Sequence, residues 1–178
     1  QHLDNIKPRE IDGFTPLHRA TQEGHIEICK LLLDHLKDKN PRDNDGWTPL
    51  QLASGYGHLE ICKAIMTHLG DKNPAASNGI TPLHTAANKG HLEVCKLLMK
   101  DLDDKNPGCH RGRTPLHFAA LKGHAEICKL FMEFLDEKNP EDHNGKTPLH
   151  FAASKGQLDV YKQIIQYLVD VNPSDNSW

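Results

Sequence analysis

Between Ile26 and Leu36 the apolar residues Cys29, Leu32, Leu33 and Leu36 stand at the i, i+3, i+4 and i+7 spacing of one helical face. Ile28 and Leu31 widen that stripe, and such breadth predicts a helix sandwiched between two neighbours. A shorter pattern precedes it, with Leu17 and Ala20 inward between Thr15-Pro16 and Gly24. It predicts a first helix of about two turns, capped by the Thr15 hydroxyl, begun at Pro16 and stopped by a glycine able to adopt the left-handed conformation. Asp12-Gly13 supplies a turn before it, and Asn40-Pro41 ends helical structure after the second helix.

This turn-helix-helix pattern repeats. Thr-Pro-Leu-His begins at Thr15, Thr81, Thr114 and Thr147, with Thr48-Pro49-Leu50-Gln51 in step, at a period of 33 residues. Gly13, Gly46, Gly79, Gly112 and Gly145 keep the same register, as do Gly24, Gly57, Gly90, Gly123 and Gly156, and the Asn-Pro pairs from Asn40 to Asn172. A fixed period of this length predicts a stacked solenoid in which each unit buries its apolar face on its neighbours. The expected units run over about 10–42, 43–75, 76–108, 109–141 and 142–174 of one array covering 1–178. Residues 1–9 and 175–178 fall in the register of flanking units: His2-Leu3 aligns with His35-Leu36, and Pro173-Ser174-Asp175-Asn176 with Pro41-Arg42-Asp43-Asn44. With polar substitution confined to Gln157, Tyr161, Gln163, Gln166 and Tyr167, the expectation is a stretch of a longer array.

The whole unit, with Thr-Pro-Leu-His, the following Ala86-Ala87, Ala119-Ala120 and Ala152-Ala153, and the Gly-His pairs, resembles the ankyrin repeat along essentially the entire chain. The resemblance implies an all-α solenoid of antiparallel helix pairs with projecting β-turn fingers, curved so that a concave face binds proteins. It also implies that the histidines of Thr-Pro-Leu-His tie neighbouring units together. Ankyrin repeats can be hydroxylated at an asparagine near the finger base, and Asn172, after Asp170-Val171, comes nearest that pattern. One departure stands out. Where ankyrin repeats commonly end the second helix with glycine and Ala-Asp-Val-Asn-Ala, this chain has Leu36-Lys37-Asp38-Lys39-Asn40-Pro41 and counterparts at Leu69, Leu102, Leu135 and Leu168. The second helix is therefore expected to extend or to end in another turn, with the leucine inward and Gly70 a displaced cap in the second unit only.

Composition narrows the functions. A net charge of −3 with both signs mixed through every unit gives no global field for nucleic acid or anionic membrane. No run reaches the ~18 apolar residues of a membrane span, so no membrane insertion is expected. Cys29, Cys62, Cys95 and Cys128 share one repeat position, and stacked helices hold such positions about 8–10 Å apart, beyond disulfide reach. Free thiols suit an intracellular setting, the cytoplasm ahead of the nucleus. Of 13 histidines, eight belong to the Thr-Pro-Leu-His and Gly-His frameworks. Cys109-His110 with His143 offers only three ligands on separate fingers, and the cysteines lack paired zinc spacing, so no metal or other cofactor is expected. No nucleophile elbow, phosphate-cradling loop or His-Glu-x-x-His helix is present, and no enzyme activity is expected.

Function should then lie where the repeats differ. On fingers and first helices, units one and two offer Phe14, Arg19, Asp45, Trp47, Leu52 and Tyr56, an aromatic and partly acidic half. Unit three adds Lys89; units four and five give His110, Arg111, Arg113, Phe118, Leu121, Lys122, Lys146 and Lys155, a basic half interleaved with apolar residues. Aromatic residues and arginine dominate interface energetics. The expectation is a non-catalytic scaffold for a protein or peptide with apolar anchors toward the first units and acidic residues toward the last. A regulatory or localising segment of a larger enzyme or channel is the alternative reading. Nucleic-acid binding through the basic half is weaker, and stacking of end repeats on one another stays open.

Overall fold

The computed structural model describes residues 9–171. Ten helices follow one another in pairs among them. The inner helices are α1 (Pro16–Gln22), α3 (Pro49–Tyr56), α5 (Pro82–Lys89), α7 (Pro115–Lys122) and α9 (Pro148–Ser154). The outer helices are α2 (Ile26–His35), α4 (Leu59–Met66), α6 (Leu92–Lys100), α8 (Ala125–Phe134) and α10 (Leu158–Val171). Each inner helix packs on its own outer partner and on the next inner helix, so the core is one continuous layer rather than a central ball. Leu17, Leu50, Leu83 and Leu116, one in each of units one to four, have no exposed surface at all.

Every inner helix starts the same way because its first residues satisfy their own orphan amides. Thr15 lies in extended geometry and its hydroxyl accepts from the His18 amide, while the His18 ring accepts from the Thr15 amide, a reciprocal capping box with proline at the first helical position. The inner helices are polar and small on one side and end at glycines in the left-handed region, where Gly57, Gly90 and Gly123 are the caps themselves.

The outer helices end differently, and the Leu-Lys-x-Lys-Asn-Pro departure explains how. At Leu36 and Leu135 the chain leaves the helix through extended backbone (ψ 145 and 140), which any L-residue adopts without strain. The carbonyls freed at that end are taken by the lysine before asparagine: Lys39 donates to the Leu33 carbonyl, Lys105 to that of Leu102 and Lys138 to those of Met132 and Leu135. The following asparagine caps the next inner helix. The Asn40 side-chain oxygen accepts from the Leu50 amide at 3.0 Å, and Asn73, Asn106 and Asn139 repeat the contact with Leu83, Leu116 and Leu149. Lysine and asparagine thus replace the missing glycine with side-chain hydrogen bonds. The expectation for Gly70 is corrected: α4 closes at Thr67 in right-handed geometry, and Gly70 is exposed without a positive φ.

The broad stripe on α2 needs a second correction. Ile28 and Leu31 are half or more exposed. Their successors at the Ile28 position, Ile61, Val94, Ile127 and Val160, are buried. The sandwiching inferred from the stripe holds for units two to four among the described residues, whose outer helices α4, α6 and α8 each pack on an outer helix to either side. Asn172 and the flanking-unit segments at 1–8 and 175–178 lie outside the described residues.

Candidate partner-binding face

Framework residues separate first from free ones. In each Thr-Pro-Leu-His the ring Nδ1 accepts the threonine amide, and in His18, His84 and His117 the proton therefore sits on Nε2, which donates to a carbonyl of the next finger. His18 reaches Trp47, His84 reaches Arg113 and His117 reaches Lys146, at 3.2, 3.0 and 3.0 Å. Gln51 reproduces both contacts with an amide: its oxygen accepts from Thr48 and its nitrogen donates to Ile80. Burial therefore pushes the ring of His84 down to about 4, and lowers His18 and His117, against the opposing carbonyl hydrogen bonds. The Gly-His rings tie backwards. His58, His91 and His124 donate to the carbonyls of Gln22, Gly55 and Asn88, packed against Gly24, Gly57 and Gly90. All seven of these side chains are occupied by unit-to-unit bonding.

The cysteine ladder is equally internal. Cys29, Cys62, Cys95 and Cys128 are fully buried free thiols, and burial pushes the last three up to about 12. None has thiolate character near neutrality. Cys109 is free and buried beneath its finger, and no cluster of three metal-ligating groups occurs among the described residues.

The fingers form a second stack. A left-handed glycine at each tip lets the next finger approach so closely that a Cβ at Gly13, Gly46, Gly79 or Gly112 would lie 2.7–2.9 Å from its neighbour's backbone nitrogen. One amide bridges each step, from Asn44 to the Asp12 carbonyl, Ser77 to Asp45, His110 to Asn78 and His143 to Arg111. The residues singled out for partner binding lie on the fingers, on the inner helices or at their ends.

Their availability differs. Arg19 is held by Glu10 through two hydrogen bonds, at 2.5 and 2.8 Å, and lies over the Phe14 ring at 4.5 Å. Phe14 also stacks on His18. Arg113 donates to the buried Asp142 at 3.2 Å and covers Phe151 at 4.8 Å. Burial alone would raise the Asp142 carboxyl, yet the amides of Asn144 and Lys146 and the Arg113 guanidinium hold it below the usual range. Phe151 is itself buried, and Phe118 is edge-on to His84 and half-buried. Tyr56 is exposed and Trp47, Leu52 and Leu121 are half-buried. Asp45, Lys89, His110, Arg111, Lys122, Lys146 and Lys155 are exposed.

Asp142 was not among the residues the sequence marked. Its signal is the separation of 29 residues from Arg113, which also joins Lys72 to Asp101 and each framework ring to its carbonyl. That distance is one period less four residues, so it always spans adjacent units.

The same period decides the family. A family model of three ankyrin repeats matches residues 2–76, 37–107, 67–139 and 100–175. The chain belongs to the ankyrin repeat family. No curated protein matches it. Ankyrin repeats are protein-protein interaction modules, and this one is an all-helical array with no helix among the described residues long and apolar enough to cross a membrane.

Proposed function

We propose that this ankyrin array is a non-catalytic scaffold that holds a protein or peptide along its fingers and inner helices. The observation that carries this reading is the division of labour in the repeat. Histidine, threonine and asparagine at the repeated positions are consumed by capping and unit-to-unit bonds and the repeated cysteines are buried in the core, whereas the varying positions on the fingers and inner helices are exposed or half-buried. Apolar anchors of the partner would meet Trp47, Leu52 and Tyr56, and its acidic residues would meet Arg111, Lys122, Lys146 and Lys155. Arg19 and Arg113 serve this face by holding Phe14 and Phe151 in place rather than by offering free charge. Five free buried thiols support a reducing intracellular compartment, with the cytoplasm the reading we carry forward.

The test compares capture of partners from cell lysate by the chain, by Trp47→Ala/Tyr56→Ala and by Arg111→Glu/Lys146→Glu. Both variants alter exposed or half-exposed side chains, so melting temperatures should stay within a few degrees of the parent. A genuine partner is expected to be lost from one or both variants, each hot-spot truncation weakening binding by about tenfold or more. Equal capture by all three chains would remove this face as the binding surface.

A further inference from the structure

The fingers and inner helices of units three to five carry cations without exposed carboxylates. The fingers at 77–80, 110–113 and 143–146, and α5, α7 and α9, contain no Asp or Glu. The neighbouring Asp142 is buried on Arg113, and the exposed Glu141 precedes the last finger. Lys89, Lys122 and Lys155 occupy one repeat position at the C-terminal ends of those inner helices, exposed and with no side-chain hydrogen bond or ion pair among the described residues. On three of the outer helices, by contrast, Lys30, Lys63 and Lys96 each pair with the glutamate three residues earlier, at 3.0, 2.7 and 2.8 Å. Beside the row of free ammonium groups lie the half-buried Phe118 and Leu121.

Equivalent positions in adjacent units are one helix-packing step apart, about 8–10 Å. A ligand that answers all three lysines must present one carboxylate per step. In an extended strand that step is about three residues, and an odd spacing turns successive side chains to opposite faces. In a polyproline helix every third residue shares a face at about 9 Å, but that face then holds only carboxylates and nothing meets Phe118 and Leu121. In an α-helix the step is seven residues, about 10.5 Å, and the i+3 and i+4 positions between the carboxylates lie on the same face for apolar contact.

We propose that the Lys89, Lys122 and Lys155 row is a register for an acidic amphipathic α-helix, reading Asp or Glu at every seventh residue with apolar residues between them on Phe118 and Leu121. This rests on the reading of the finger and inner-helix face as the partner surface.

The test is fluorescence anisotropy at physiological salt with the 178-residue chain and a labelled three-heptad peptide. The peptide carries Glu at i, i+7 and i+14 with Leu at i+3 and i+4 of each heptad; an isomer of the same composition carries Glu at every third position. The heptad peptide is expected to bind about tenfold or more tightly than the isomer, and Lys89→Glu/Lys122→Glu/Lys155→Glu to weaken it by about tenfold or more. An equal charge change on the outer helices, Lys100→Glu/Lys129→Glu/Lys162→Glu, should shift affinity less than about threefold, since salt screens charges beyond about 8 Å. Equal binding of the isomer, equal loss in the outer-helix variant, or preferential binding of a single-stranded oligonucleotide would overturn the proposal. If a partner lost on Trp47→Ala/Tyr56→Ala persists in those cases, only the heptad register falls; if none is found, the reading of the face falls with it.

Discussion

At the residue scale the array is built from one exchange, an acceptor facing back to a threonine amide and a donor facing forward to the next finger. Neutral histidine supplies both in three units and Gln51 supplies both in the second. Protonation of His84 would put a second donor against the Thr81 amide, in a site already poor in water. Its folded pKa, about 4, lies below the ordinary 6.5, so the folded state binds fewer protons and stability falls as pH drops through that window. Above the ordinary value the contribution is complete; by pH ~4.5 about 2–3 kcal/mol of it is gone. His84→Gln should therefore flatten the acid limb of stability by roughly that amount, whatever its plateau at neutral pH, in urea titrations between pH 7 and 4.5. His84→Ala should instead destabilise at every pH, since it leaves the Thr81 amide and the Arg113 carbonyl unpaired. Equal pH slopes in the parent and the glutamine variant would show that other groups set the acid limb.

At the element scale the sequence displayed what recurs with its partner nearby and concealed what recurs with its partner far off. Thr15 and His18 are three residues apart, so the capping box and the start at Pro16 were legible directly. Lys39 and Asn40 were visible only as a departure from the family pattern. The amide that Asn40 caps is 10 residues onward and the carbonyls near Lys39 depend on how α2 ends, neither of which periodicity reports. Site residues followed the same rule: exposure of Tyr56 and Lys122 could be read from the period, whereas the pairing of Arg113 with Asp142 needed the stacking of two fingers. The asparagine caps have a measurable role. Asn106→Ala removes the acceptor for the Leu116 amide at 3.2 Å, next to a leucine with no exposed surface. Loss of such a cap is expected to cost about 1–2 kcal/mol in denaturant titrations, and Asn106→Asp to retain most of it. A neutral Asn106→Ala would mean that water takes over the amide.

At the scale of the molecule, each unit has only its two neighbours to pack on, so the position of a lesion matters as much as its size. Leu17 and Leu83 are the same residue of the repeat, both fully buried, but among the described residues Leu83 lies on α5 between α3 and α7 while Leu17 lies on α1 with α3 on one side. Either substitution to alanine removes the same atoms and should cost about 2–5 kcal/mol locally. In a nearest-neighbour array the consequences diverge. Leu83→Ala weakens a unit through which the two halves are coupled, so it should lower the midpoint of the whole urea transition followed by circular dichroism. Leu17→Ala should let the first unit open early and alone, adding a shallow first phase while the main midpoint stays near that of the parent. Amide exchange separates the two cases: in Leu17→Ala the loss of protection should be confined to α1 and α2, and in Leu83→Ala it should spread to α3 and α7. A single transition shifted equally by both substitutions would mean that the array unfolds as one cooperative block, with interfaces strong enough to hide the difference between an outer unit and an inner one.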